Sequence, residues 1–146
     1  MKKIYRENKY TLEKIIPSKI QIKTLYDILK LRQHSISHQS LPTYKKHIFF
    51  VKNNPYDKWF IVYEDSTAIG SFYIKKDNSI GLNFTNETHK VILLVVRFIK
   101  KNFIPIKSKA SLIPPYFYIN VPYSNIKLKN ILIKLKLIPI QISLKL

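Results

Sequence analysis

A chain of 146 residues that is 46% hydrophobic and 13% aromatic is long enough for one domain with a packed core, and too apolar to remain disordered. It has no cysteine, which excludes a disulfide framework and thiolate zinc sites. Its 26 basic and 8 acidic residues give a net charge of +18, which favours anionic ligands: nucleic acid, phosphorylated compounds, nucleotide-linked sugars or acidic membrane surfaces. Abundant Lys, Ile and Asn with scarce Gly and Ala are also what an AT-rich coding bias produces. The lysines are spread along the chain rather than gathered in an arm, which argues against a nucleic-acid tail. The opening MKKIYRENKY leads into no apolar run, and the longest such run, Val91 to Val96, is too short to span a bilayer. The expectation is a soluble cytoplasmic protein with no membrane or nucleic-acid partner.

In chain order, Tyr10 to Ile16 reads as a first strand ended by Pro17. Ser18 to Gln21 has capping-box spacing, and Ile22, Leu25, Tyr26 and Leu29 recur at helical spacing to about Arg32. Gln33 to Leu41 is a polar loop. Thr43 caps a second helix in which Tyr44, His47, Ile48 and Val51 share a face, and Asn53-Asn54-Pro55 ends it. Trp59 to Phe84 alternates with period two and breaks at Asp65-Ser66-Thr67 and Lys76-Asp77-Asn78, which predicts a three-stranded antiparallel meander. Gly70 and Gly81 fall inside its strands, where they signal a bulge, a close approach of backbone or ligand, or a local packing accommodation.

Thr85 to Lys90 is a short polar connection, and Val91 to Asn102 a helix apolar nearly all round in its first half. Ile104 to Pro115, with three prolines, is irregular. Tyr116 to Val121 reads as a fifth strand, Asn125 to Leu137 as a helix on length, and Ile140 to Leu144 as a last strand. The order is β, α, α, β, β, β, α, β, α, β in one domain spanning residues 1–146, an α/β (α+β) fold around a mostly antiparallel sheet.

That order resembles the GNAT superfamily of N-acyltransferases. Ile36, Ser37, His38, Pro42, Thr43, His47, Phe50, Val51, Pro55, Tyr56 and Trp59 resemble an ISH…P-S/T-x-x-x-H-x-x-F-V…P-Y-x-x-W run of bacterial members associated with surface-sugar biosynthesis. Asn120, Val121, Asn125, Lys134 and Leu135 resemble the later NVNPxNxxSxxLFxKLGF segment. The resemblance implies strands Ser79–Phe84 and Tyr116–Val121 splayed around a cleft for acetyl-coenzyme A. It implies transfer of acetyl to the amine of a small metabolite such as a nucleotide-linked amino sugar, and leaves a homodimer open. The family's Q/R-x-x-G-x-G/A phosphate turn is absent: Thr85 to Ile92 contains no glycine, Leu128 stands at the family's Ser position and Lys136 at its Gly position. A degenerate binding or scaffold protein is therefore the alternative reading. A basic nucleic-acid module with Tyr116, Phe117 and Tyr118 as stacking platforms is a third.

Aminolysis of a thioester needs a deprotonated amine, an oxyanion donor and help for the leaving thiolate. By the resemblance, Leu82, Asn83 and Phe84 are candidates for backbone contacts to the cofactor. His89, Lys90 and Val91 would bind its phosphates at a helix start, Asn125 would contact the pantetheine arm, and Asn120 is a further candidate for cofactor contact. His38 and His47 are candidate bases by their titration range, and Glu87 by its place beside the cofactor loop. Each has a structural alternative: loop capping or packing for the histidines, a solvated carboxylate for Glu87, and a helix cap for Asn125. The spacing of His34 and His38 would suit a metal only on a helix. They lie in a polar loop without an acidic third ligand, so no metal site is expected.

Overall fold

The computed structural model describes residues 3–36 and 40–146. Within them the chain builds an α+β fold on one six-stranded mixed sheet in the order β1-β2-β3-β4-β5-β6. The strands are β1 (Ile4–Glu7), β2 (Tyr10–Lys14), β3 (Lys58–Glu64), β4 (Thr67–Ile74), β5 (Ser79–Phe84) and β6 (Tyr118–Ile119). The helices are α1 (Lys19–Lys30), α2 (Tyr44–Lys52), α3 (His89–Asn102) and α4 (Ile126–Lys134). Pairing is antiparallel from β1 to β5 and parallel between β5 and β6, which α3 joins.

The turns follow from residues that tolerate a left-handed backbone. Asn8 (φ 54°) and Asp65 (φ 52°) start the two-residue links β1–β2 and β3–β4, and Asn78 (φ 67°) closes the four-residue β4–β5 loop. Three helices start on the side chains the spacing predicts. Ser18 accepts from the Gln21 amide, Thr43 from Lys46, and Asn125 from Leu128.

The sheet's period of two separates two cores. Phe60, Val62, Phe72, Ile74, Ile80 and Phe84 face α3 and α4, while Trp59, Ile61 and Tyr73 face α1 and α2. Both glycines answer to aromatic rings rather than to a ligand. A Cβ on Gly70 would collide with the Phe84 ring, and one on Gly81 with the Tyr73 ring. Gly70 also adjoins a bulge, because the register steps from Val62↔Gly70 to Tyr63↔Ala68 and leaves Ile69 as the extra residue.

Three expectations need correction. The hairpin strand β1, largely exposed, precedes the strand read as first. The strand expected over Tyr116–Val121 shrinks to Tyr118–Ile119. The strand expected over Ile140–Leu144 does not form, because no neighbouring strand pairs with it. No described helix is long and apolar enough to cross a membrane.

Candidate functional site

The candidate site is the far half of β5. Lys75 donates to the Ser79 carbonyl (2.8 Å) and Thr85 to the Ile69 carbonyl (3.0 Å), so the odd-numbered residues of β5 turn their backbone groups to β4. The even-numbered ones turn to the opposite edge. There the Asn78 carbonyl accepts from the Tyr118 amide (3.2 Å) and the Ile80 carbonyl from the Asn120 amide (3.0 Å). The next donor in that series would be residue 122, which is Pro122 and has no N–H. Pairing stops, and the backbone groups of Leu82 and Phe84 face an edge on which no strand of the described residues lies. Asn83, by the same parity, has its backbone engaged by Ser71.

The loop after β5 is held from both sides. The Thr85 amide and hydroxyl both donate to the bulged Ile69 carbonyl. Thr88 caps α3 by accepting from the Val91 amide at 3.3 Å, which leaves the first-turn amides of His89 and Lys90 without a hydrogen-bond partner among the described residues. Both residues are exposed and no acidic residue sits in that turn, so the carboxylate next to the positive end of the helix is that of Glu87, just before the cap. Just before the cap, Glu87 accepts a 2.6 Å hydrogen bond from Asn125 Nδ2, while Asn125 Oδ1 caps α4. Beside it Lys127 donates to Asn86 Oδ1 at 2.9 Å. The loop is thus laced to the start of α4.

Of the residues expected at the site, Leu82 and Phe84 lie on the open edge, Glu87 and Asn125 are hydrogen-bonded to each other at the loop after it, and His89, Lys90 and Val91 open the first turn of α3. Asn120 contributes its amide to the last rung before the gap. His47 lies elsewhere. It is buried between α1 and α2, with Nε2 donating to the Ile22 carbonyl at 2.9 Å and its ring against Tyr26 and Tyr44. Burial pushes its pKa down, opposed by that hydrogen bond. His38 falls outside the described residues. His34 contacts the Ser124 hydroxyl at 2.8 Å, which brings the loop after α1 to the start of α4.

Two features escape the sequence. Tyr56 stacks on Tyr73 with ring centroids 3.8 Å apart, and Tyr73 in turn covers Gly81, so a tyrosine pair flanks the open stretch of β5 on its α1 face. Burial raises the Tyr56 hydroxyl pKa, with the neighbouring Tyr73 adding to it. The available signals were Gly81 and the place of Tyr56 in the P-Y-x-x-W run. Second, a hollow of about 280 Å³ between α1 and the β3–β4 turn reaches Thr85, lined among others by Asp27, Tyr63 and Ser66. Hydrogen bonds from Lys23 and Lys30 hold the Asp27 carboxyl below the usual range. Burial, then Glu13, pushes the Tyr63 hydroxyl up to about 12.

No protein-family profile matches this chain, and no curated protein matches it either.

Proposed function

We propose that the chain is a GNAT-like N-acyltransferase domain that uses acetyl-coenzyme A and an amine acceptor, with a nucleotide-linked amino sugar as the acceptor class. The observation that carries this reading is the interrupted β5–β6 pairing, which leaves the Leu82 amide on an open edge a few residues before a helix start with no acidic residue in its first turn. In aminolysis the amine nitrogen attacks the thioester carbonyl, the C–S bond breaks, and coenzyme A leaves as a thiolate that takes up a proton. An amide on the open edge suits the oxyanion, because it is held by the sheet and needs no reorganisation. The free amides of His89 and Lys90, with the Lys90 ammonium, suit a pyrophosphate. The hollow that ends at Thr85 supplies an acceptor side, where an ammonium would have to displace Lys23 or Lys30 from the Asp27 carboxylate.

A specific observation supports the second reading, a non-catalytic scaffold of the same fold. The loop has no glycine, the Val91 amide is already capped by Thr88, and the Glu87 carboxylate sits beside the place a pyrophosphate would take. Calorimetry with acetyl-coenzyme A separates the two. A Lys-phosphate contact contributes roughly 1.5–3 kcal/mol. Lys90→Ala should therefore weaken binding by about ten- to a hundredfold, and Lys100→Ala at the far end of α3 should leave it unchanged. Absence of binding by the wild-type chain at millimolar cofactor rejects the acyltransferase in favour of the scaffold. Equal binding by wild type and Lys90→Ala rejects this placement of the phosphates.

A further inference from the structure

The chain beyond α4 carries a strand pattern that nothing in the fold uses. Ile138, Ile140, Ile142, Leu144 and Leu146 alternate with Pro139, Gln141, Ser143 and Lys145. Extended, these residues would have one apolar and one polar face. Ile138 to Leu144 are nonetheless 55% to 86% exposed on the apolar positions. The exit from α4 is fixed. Lys136 adopts φ 68°, its amide reaches the Ile133 carbonyl, and the Leu137 amide reaches the Leu132 carbonyl, which is a Schellman cap. This exit leaves the tail off the body of its own chain.

The same chain also carries an unpaired sheet edge. In and around β6, Tyr118 and Asn120 turn to β5, so Phe117, Ile119 and Val121 turn their backbone groups outward, where no strand of the described residues pairs with them. Their side chains are partly buried against the α3–α4 core, as are Leu135 and Leu137, so an apolar rim runs beside that edge.

We propose that residues 138–146 of one copy add as a strand to the outer edge of β6 of a second copy, reciprocally, and form a two-fold dimer. Pro139 removes one donor, but on the side it shares with Gln141 and Ser143. The side shared by Ile138, Ile140, Ile142 and Leu144 keeps all its donors and acceptors, as an outermost strand requires. The orphan strand and the orphan edge are complementary and belong to one sequence, which is the condition for an isologous contact. Leu137 to Leu144 carries no charge in a chain of net charge +18, so two copies can approach there without repulsion. Pairing along Phe117–Val121 is about 17 Å long, so two strips about 10 Å wide remove roughly 700 Å² over both partners, the size of a weak, reversible dimer.

The test combines mass and cross-linking. Sedimentation should show a dimer at micromolar concentration. An Ile140→Lys/Ile142→Lys chain of unchanged circular dichroism should be monomeric, with dimer affinity lowered about a hundredfold or more by charge placed on the apolar face. The natural chain has no cysteine. A mixture of Asn120→Cys chains with size-tagged Gln141→Cys chains should therefore give a mixed disulfide-linked dimer. A wild-type chain that stays monomeric, or a dimer that survives the double lysine substitution, overturns the proposal. So does a bond that forms only within single chains carrying both cysteines. Tail-dependent binding of a monomer to anionic vesicles would assign the segment to a lipid surface and overturn it as well.

Discussion

Asn78 joins three parts of the chain. It is almost fully buried at the end of the β4–β5 loop, with a left-handed backbone. Its Nδ2 donates to the carbonyls of Ile106 (3.0 Å) and Pro114 (2.9 Å), and its Oδ1 accepts from the Ile106 amide at 2.8 Å. Its own carbonyl receives the first bond from β6. Asn78→Ala removes three side-chain hydrogen bonds at about 1 kcal/mol each. It also places a residue without a local polar side chain at positive φ, for about 1 kcal/mol more. The sum is about 4 kcal/mol, a large share of the stability of about 5–15 kcal/mol usual for a domain. Asn78→Gly loses the same bonds without the backbone penalty, so it should be destabilised by about 3 kcal/mol. Urea unfolding followed by the fluorescence of Trp59, the only tryptophan, measures both. With a slope of about 2 kcal/mol/M the Ala variant's midpoint should fall by about 2 M. A loss under about 1 kcal/mol for Ala, or a Gly variant less stable than Ala, would refute the reasoning.

Lys136→Gly should stabilise the chain by about 1 kcal/mol, since the Schellman position is held at φ 68° by a residue with a Cβ; thermal unfolding checks it. Gly81→Ala should cost about 1–3 kcal/mol because the Tyr73 ring must move, and the double variant with Tyr73→Ala should lose less than the two single losses combined. For His47 the folded pKa lies below the unfolded one, so the unfolded chain binds the extra proton. The contribution of His47 is whole above its unfolded pKa of about 6.5 and declines as pH falls through that value toward the folded pKa. Urea midpoints of wild type and His47→Gln should therefore converge between about pH 7.5 and about pH 5. Parallel curves would contradict a buried neutral ring.

Period-two runs with Asp and Asn breaks made β3, β4 and β5 readable in outline, and helical spacing with Ser18 and Thr43 did the same for α1 and α2. Burial gives a strand its pattern, so the exposed β1 carried only Asn8 as a sign of its turn. Alternation in Ile140–Leu144 predicted a strand because pattern records what a segment can pair with, not whether an edge lies within reach. At the site, the roles of Leu82 and Asn83 differ only through ladder parity. Parity depends on the register against β4, and local sequence does not encode it. The Glu87–Asn125 contact spans 38 residues and was legible only as two separate polar side chains.

That contact has a kinetic meaning. A ligand that needs the Glu87 and Asn125 side chains apart can enter only while their hydrogen bond is open. Its apparent affinity is then the intrinsic one scaled by the open fraction, and its observed binding rate levels off with concentration at the rate of opening. The loop ahead of α3 and the first turn of α4 would act as a latch, with the time a ligand waits outside set by the protein rather than by the ligand.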